Sequence, residues 1–529
     1  MRPAFTFSEI REAEKVIIEK EGIPSLILME NAGKNSFDVI SSIYPDLGER
    51  TIFIVCGKGN NAGDGYVAAR NFLINSIPVE IFNLSGQSEL KGDALVNYDI
   101  LAKLSSKLCI MHTITGGDPD ILYSSLNNVK GKALIIDAIL GSGIKGSVTG
   151  LYEKIIDQIN SVKHKNFKID VVSLDVPSGL GEGNTEGAVI DACHTITMGA
   201  IKTDLLFGKG KENSGKVYVV PIGITNDLFE RVNTYNKFLI EEYDVKKLIP
   251  KRKKTSYKYS NGKTLIIGGS KGLSGAVIMS SLAALKCGSG AVLAAFPHSI
   301  SAHFSRKLAE VIKTELNETT DGSIAGDSFS SIQKQIDKAD AVLIGPGLSL
   351  NPETANFLYD VITNSMKPLV IDADALTLLA GNLGILNERK GGSEVILTPH
   401  IGEFAKLTGK TPEEINADRF ELTKQFAKEF NVNVVLKSET TISCSSDGEI
   451  FINDSGNEQL GSAGSGDVLS GIITSLLAQT GNARTAMICG NYIHGKLAEM
   501  YFDKYGNKQS ASQQDLIKFI PNVITELLN

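Results

Sequence analysis

Glycines and carboxylates recur side by side along this sequence, in the order that anion chemistry uses. Gly461-Ser462-Ala463-Gly464-Ser465-Gly466-Asp467 leads into a helical pattern from Val468 to Ala478. Glycines let successive amides face one anion, the helix dipole adds positive potential, and an aspartate at the helix start can take a proton from a hydroxyl about to attack phosphate. The competing reading is a flexible loop followed by an Asp N-cap. In the other half, Thr51 to Cys56 runs into Gly57-Lys58-Gly59-Asn60-Asn61-Ala62-Gly63-Asp64-Gly65 and then a helical pattern from Tyr66 to Leu73. That turn fits an anion cradle, and loosely a dinucleotide fingerprint with Glu80 as a ribose acid; it also fits a plain tight connection.

Other polar groups follow apolar runs in the same way. Asp137-Ala138-Ile139-Leu140-Gly141-Ser142-Gly143 and Asp175-Val176-Pro177-Ser178-Gly179-Leu180 end two runs of the first half. Asn61, Asp137 and Ser178 together offer amide, carboxylate and hydroxyl oxygens to a hard cation, and Asp175 a proton acceptor; alternatively the two aspartates cap helices. In the second half, Gly268-Gly269-Ser270, Ser274-Gly275-Ala276, Gly345-Pro346-Gly347-Leu348, Asp372-Ala373-Asp374 and Thr398-Pro399-His400-Ile401-Gly402-Glu403 lie near strand ends. His400 reads either as a hydrogen-bonded structural residue or as a site residue, and Lys437 as a surface lysine or as a point charge for phosphate.

These loops need parallel strands to bring them together. Before residue 230 the clearest strands are Thr51 to Cys56, Val79 to Leu84, Ala133 to Ile136 and Val171 to Leu174; after residue 260 they are Thr264 to Ile267, Ala291 to Ala295, Ala341 to Ile344, Leu369 to Ile371, Val395 to Leu397 and Val432 to Leu436. Helical patterns alternate with them, which predicts α/β folding with ligands at the carboxyl ends of the strands. The polar stretch from Tyr235 to Gly262 separates the halves, giving expected domains 1–236 and 237–529. Met1 to Lys20 reads as a charged amphipathic helix without the apolar core of a secretory signal.

Composition narrows the function classes. With 529 residues, 42% hydrophobic and 21% charged, the chain has the makeup of a globular protein with two large domains. A net charge of -7 opposes polyanion binding, and Lys251-Arg252-Lys253-Lys254 reads as a solvated tether, so no nucleic-acid partner is expected. The six cysteines form no metal or disulfide pattern, and no apolar run reaches membrane-spanning length, which predicts a cytoplasmic protein without a membrane partner.

The motifs also carry a family resemblance. Met29-Glu30-Asn31-Ala32-Gly33, GKGNNAGDGYVAAR (Gly57 to Arg70), DAILGSG (Asp137 to Gly143) and DVPSGL (Asp175 to Leu180) resemble the NAD(P)H-hydrate epimerase domain family over roughly residues 8 to 225. The loops from Gly268 to Asp467, in their order, resemble ADP- or ATP-dependent NAD(P)H-hydrate dehydratases over roughly residues 240 to 529. Together they are similar to the bifunctional NAD(P)H-hydrate repair enzymes.

The resemblance implies a Rossmann-like domain that interconverts the R and S forms of the hydrates NADHX and NADPHX with potassium, fused to a ribokinase-like domain. The second domain would dehydrate the S form by phosphorylation and phosphate elimination, with ADP or ATP and Mg2+. It implies that Asn61, Asp137 and Ser178 hold potassium and that Asp175, with Lys202, handles protons or phosphate. It places Asn60, Asn61, Ala62, Gly63, Asp64, Gly141, Ser142, Gly143, Ile144, Lys145, Gly146, Ser147 and Asp175 on the epimerase substrate. On the other side it places Ala276, Gly347, His400 and Asp467 on the hydrate, and Lys437, Ser438, Glu439, Thr440, Thr441 and Gly466 on the nucleotide. Homo-oligomers are implied too. Ala62 and Glu439 depart from the family pattern: Ala62 fits only at negative φ, and Glu439 near phosphate fits only if turned to solvent or engaged with a cation. The alternative is a ribokinase-like vitamin or sugar kinase fused to a nucleotide-binding module, since fold alone does not set function.

Overall fold

Side chains alternate across a strand, so a parallel strand buried on both faces must be apolar throughout. Thr51–Cys56 obeys this: Ile52, Ile54 and Cys56 join one core with helices Ser25–Ile43 and Asn60–Ile74, while Phe53 and Val55 join another with helices Asp120–Asn127 and Leu151–Lys165. Helices therefore cover both faces of one sheet, and the layers are three. The structure, a computed structural model, describes residues 1–104, 107–114, 120–144, 146–182, 187–225, 227–229, 236–255 and 260–529. The chain divides into two compact units, Pro3–Tyr235, and Asn236–Asn529 with Met1–Arg2.

The N-terminal unit holds β1 (Thr51–Cys56), β2 (Val79–Asn83), β3 (Cys109–Thr113), β4 (Ala133–Ala138), β5 (Ile169–Leu174), β6 (His194–Met198) and β7 (Lys216–Val220). Their order across the sheet is β3-β2-β1-β4-β5-β6-β7, all parallel. This is the Rossmann order, and the chain reverses direction across the sheet between β1 and β4, where a ligand crevice opens at the strands' carboxyl ends. Met1 to Lys20 departs from the expected single helix. Arg2–Phe5 is a strand beside Ile201–Lys202, and the helix spans Phe7–Glu19. Thr6 stops it from starting earlier: its hydroxyl accepts from Glu9 N at 3.2 Å while the Glu9 carboxylate accepts from Thr6 N, a capping box.

The C-terminal unit holds β8 (Lys237–Leu239), β9 (Lys263–Ile267), β10 (Ala291–Pro297), β11 (Ile312–Leu316), β12 (Ala341–Ile344), β13 (Leu369–Ile371), β14 (Val395–Leu397), β15 (Asn433–Leu436), β16 (Thr441–Cys444) and β17 (Ile450–Asn453). Their order is β11-β10-β9-β12-β13-β14-β15-β16-β17-β8. All neighbours run parallel except the meander from β15 through β16 to β17. The second switch point lies between β9 and β12. Ile266, Phe296, Leu343, Val370 and Val435 face a core shared with helices Ser274–Lys286, Ser465–Thr480 and Ala483–Tyr505. Leu265, Ile267, Val342 and Ile344, their neighbours along the strands, are as fully buried on the opposite face. The polar stretch between the halves also carries structure. β8 and helix Glu242–Leu248 place Ile240, Val245 and Ile249 in that core. Among the described residues no helix is long and apolar enough to cross a membrane.

Helix Ser465–Thr480, which will matter for the chemistry, is clamped against helix Ser274–Lys286 by an approach only glycine allows. A Cβ on Gly471 would stand 2.4 Å from the Ser280 carbonyl oxygen. Gly471→Ala should therefore cost about 1–3 kcal/mol through overpacking. In differential scanning calorimetry of the full chain this is expected to lower the C-terminal transition and leave the N-terminal one in place.

Candidate active sites

In the N-terminal unit, the loops after β1, β4 and β5 enclose a cavity of about 560 Å³ lined by Asn60, Asn61, Asp64, Gly141, Ser142, Gly143, Ile144, Asp175 and Lys202, with Arg11, Glu14 and Met29 on the facing side. Ala62 and Gly63 lie within the first helical turns and pack inward instead; a Cβ on Gly63 would press on Met29. Ala62 is helical, so its methyl meets no backbone conflict. Gly146 and Ser147 are exposed and lie outside the cavity lining, and Lys145 lies outside the described residues. Glu80 is corrected: it is the second residue of β2, not its carboxyl end, and it pairs with His112 Nε2 at 2.8 Å. Strand length sets this, because Ile81, Phe82 and Asn83 continue the strand beyond Glu80.

The charge at the cavity floor is unusual. Asp175 leaves β5 with φ of +65°, a conformation non-glycine residues seldom hold, and so turns its carboxylate back over the strand ends. Lys202 Nζ meets Asp175 Oδ1 at 2.8 Å and also donates to Thr197 Oγ1 at 2.8 Å and the Met198 carbonyl at 3.1 Å. Lys202 is 1% exposed, so the surface reading of this lysine fails. Burial pushes the Asp175 carboxyl up, but the Lys202 ammonium and the Ser142 amide outweigh it and hold it below the ordinary range. Asp64 goes the other way: burial and the Asp175 and Glu14 carboxylates raise it well above a normal aspartate.

Beside this floor, Asn61, Asp137 and Ser178 converge on the Leu140 loop. Asn61 Nδ2 donates to the Leu140 carbonyl at 2.9 Å, and Leu140 N donates to Ser178 Oγ at 2.8 Å. Asp137 is fully buried, accepting from Ser178 N at 2.8 Å, Ser173 Oγ at 2.8 Å, Ile139 N at 3.2 Å and the Ser178 hydroxyl. Burial still raises its carboxyl despite those donors. The Ile139 amide contact is a local turn only; the next helix, Leu151–Lys165, has Gly150 as its N-cap, so Asp137 does not cap it. Asn61 Oδ1 is buried without a hydrogen-bond partner.

In the C-terminal unit, helix Ser465–Thr480 opens at Gly464, whose φ of +89° turns the chain into the helix. Among the described residues, the amides of Gly466 and Asp467 take no acceptor within the protein. Asp467 sits in the first turn, not at the N-cap, so its carboxylate is free of capping. It stays half-buried, reachable from solvent. Burial and the Asp372 and Asp374 carboxylates, opposed by Lys437, raise its pKa to about 7.

Lys437 comes from the end of β15 and is no surface residue: Nζ lies 2.9 Å from Asp372 Oδ1 and 3.9 Å from Glu403 Oε2. A Cβ on Gly466 would be 3.2 Å from Lys437 Nζ, so the ammonium lies directly under the turn. Burial lowers the Lys437 pKa and its carboxylate neighbours reverse this, leaving it above an ordinary lysine. Lys437 N donates to the Pro399 carbonyl at 2.8 Å, which brings His400 alongside. His400 is exposed and caps helix Ile401–Thr408, its Nδ1 accepting from Gly402 N at 3.0 Å and Glu403 N at 3.2 Å. The structural reading of His400 is thus satisfied, and its Nε2 lies 3.6 Å from Glu403 Oε1.

Ala276 and Gly347 meet at the β9/β12 switch point: a Cβ on Gly347 would be 3.3 Å from the Ala276 methyl. Ser438 to Thr441 form the turn from β15 to β16, with Ser438 Oγ donating to the Thr440 carbonyl at 2.7 Å. Glu439 has a cation: Arg419 Nη1 lies 3.4 Å from its Oε1, a contact that offsets its charge next to Lys437. Sequence reasoning puts Asp372, Asp374 and Glu403 in the strand-end loops without giving them a role, and misses Arg419 here and Glu14 in the other site. For the two aspartates the signal was present, a strand end followed by Asp-Ala-Asp; for Glu14 and Arg419 it was not.

Comparison with known proteins decides the family. The NAD(P)H-hydrate dehydratase family matches residues 264–522 and the YjeF-related protein N-terminus family residues 25–204. A bifunctional NAD(P)H-hydrate repair enzyme of Moorella thermoacetica is 34% identical over 528 residues, 99% of this chain and 96% of that protein. The chain belongs to the bifunctional NAD(P)H-hydrate repair enzymes. The member from Escherichia coli is 32% identical over 504 residues, 94% of this chain and 90% of its own length. A crystal structure of the ADP/ATP-dependent NAD(P)H-hydrate dehydratase of Bacillus subtilis, co-crystallized with ATP/Mg2+, aligns with 55% of this chain and 98% of its own at 26% identity and a TM-score of 0.48. Membership in this family of repair enzymes displaces the vitamin or sugar kinase alternative.

The raised Asp467 pKa has a thermodynamic consequence. A carboxyl at about 7 in the folded chain and near the ordinary 3.8 when unfolded contributes stability below the lower value and loses it as pH rises through the upper. Asp467→Asn removes that loss. The melting temperature of the variant relative to the parent is expected to climb from pH 4 to pH 7 and then level off; a pH-independent difference would refute the assignment.

Proposed function

We propose that the N-terminal unit interconverts the R and S forms of NADHX and NADPHX and that the C-terminal unit dehydrates the S form, using ADP or ATP with Mg2+. The observation that carries this reading is the charge pattern of the two sites. Each sets a lysine beside a poorly solvated aspartate, next to carboxyls raised by burial and like charge, at the carboxyl ends of a parallel sheet.

In the dehydratase site Asp467 accepts the proton of the C6 hydroxyl as its oxygen attacks the terminal phosphoryl group. The free Gly466 and Asp467 amides and the Lys437 ammonium receive the negative charge on the phosphoryl oxygens. Phosphate then leaves C6, pushed by the ring nitrogen, and loss of the C5 proton restores the dihydronicotinamide. Ala276, Gly347 and His400 Nε2 bound the hydrate, and Ser438 to Thr441 the nucleotide. Magnesium fits the surplus of carboxylates formed by Asp372, Asp374 and Asp467 around one lysine. Bound with the nucleotide, it supplies charge neutralisation on the transferred group.

In the epimerase site Asp175 exchanges a proton with the substrate while Lys202 keeps it ionised. Potassium fits Asn61, Asp137 and Ser178 because a buried amide oxygen without a partner calls for one, and the Leu140 backbone and Ser178 link Asn61 to the buried Asp137 carboxylate. Bound there, it supplies a fixed positive charge beside the Leu140 loop. A cytoplasmic, homo-oligomeric protein completes the proposal, supported by the resemblance and by six free cysteines.

Assayed with separated R and S hydrates, Asp467→Asn is expected to abolish dehydration and keep epimerisation, and Asp175→Ala to do the reverse; joint loss in either variant would break the division of labour. Asn61→Leu is expected to remove the response of epimerisation to added KCl, and an unchanged potassium titration would overturn the ion assignment.

A further inference from the structure

Three carboxyl groups share one ammonium in the N-terminal cavity: Asp175, Asp64 and Glu14, with Lys202 among them. Glu14 arrives on helix Phe7–Glu19, far in sequence from every motif loop, yet it lines the same cavity as Asp175, Gly141 and Ser142. One turn away on that helix, Arg11 is spent elsewhere, donating to the Ser142 carbonyl at 2.5 Å and pairing with Glu182 at 2.6 Å. Lys202 in turn is committed to Asp175, Thr197 and the Met198 carbonyl. Lys58 and Asp93 complete the charged groups lining the cavity. No cation is therefore assigned to Glu14 itself.

We infer that Glu14 is a catalytic residue of the epimerase site, the acid that works with the base Asp175 on the C6 hydroxyl of the hydrate. This rests on the epimerase reading above.

The two carboxyls have been driven apart, which is how one site runs acid and base chemistry together. Burial raises Glu14 to about 7, with Lys202 and Arg11 opposing and Asp175 reinforcing, while Asp175 is held ionised by Lys202. Asp64 is raised well above a normal aspartate, by burial first and then by the Asp175 and Glu14 carboxylates. Glu14 is the one poised near neutral pH, where a general acid is most effective.

The step balances as follows. Glu14 gives its proton to the C6 oxygen, the C6–O bond breaks as the N1 lone pair forms an N1=C6 bond, and water leaves. Water then adds to the opposite face, the electron pair returns to N1, and the surplus proton passes to Asp175. The reverse conversion starts from protonated Asp175 and ionised Glu14. Water is the only co-reactant.

The test uses the full chain and Glu14→Gln, which keeps the shape of the neutral acid. Epimerisation kcat is expected to fall by roughly 10²–10⁴-fold, the usual worth of a general acid, with KM little changed and dehydration of supplied S hydrate intact as proof of a folded protein. In the parent, epimerisation kcat/KM should decline as pH rises through about 7, where Glu14 loses its proton; Glu14→Asp should retain such a limb and part of the rate. A Glu14→Gln chain with the parent rate and pH profile, or one that loses only KM, overturns the role of Glu14 while leaving the epimerase reading standing. A parent chain that does not epimerise at all overturns both.

Discussion

A buried ammonium survives only where a carboxylate meets it, and this constraint organises both halves of the molecule. In the N-terminal unit Lys202 holds Asp175 at the end of β5; in the C-terminal unit Lys437 holds Asp372 at the end of β13. Each pair is near-neutral as a whole, so every further carboxylate in its cavity is surplus negative charge in a poorly solvated place. Such a group answers by holding its proton. Asp64 and Glu14 do so around the first pair, Asp467 and Glu403 around the second. Burial is thus the main source of acids able to move protons near neutral pH, and the ion pair sets the charges around them.

The helices complete this by supplying potential where the side chains cannot. At Gly464 the chain turns into helix Ser465–Thr480 with the next amides unclaimed, and the Lys437 ammonium lies beneath them. Donors of two kinds therefore face the space above Asp467, one from the backbone dipole and one from a full charge. The close contact of Gly471 with the Ser280 backbone fixes where that helix starts, so packing in the core sets the position of the reacting carboxylate. At the other site the positive φ of Asp175 does the equivalent work, turning its carboxylate toward Lys202 at a conformational cost of about 1–3 kcal/mol.

Much of the fold was legible because central parallel strands are apolar on both faces. β1, β4, β5, β9, β12, β13, β14 and β15 stand out in the sequence as short aliphatic runs that end in Gly, Pro, Asp or Lys. The edge and late strands do not. β3 (CIMHT) and β11 (IKTEL) are half-exposed and mix polar with apolar residues, and β8 sits inside a stretch whose composition looks like a linker. The opening strand Arg2–Phe5 hid behind the charged helical pattern that follows it, since only the Thr6 capping box separates the two.

Local chemistry is what the sequence by itself determined: the glycine turns, the strand-end aspartates at 137, 175 and 372, the helix-start aspartate at 467, and the family to which their order belongs. These depend on backbone propensities and residue types over a few neighbouring positions, which a linear string preserves. Tertiary structure alone decided which charges share a cavity. It turned Lys202 and Lys437 from ordinary lysines into counter-ions of buried aspartates, gave Glu439 its Arg419, left Asn61 Oδ1 unpaired, and carried Glu14 from a surface-like helix into the lining of a site. Protonation depends on burial and on charges a few ångströms away, and those neighbours come from separate segments of the chain, so no local pattern can encode it.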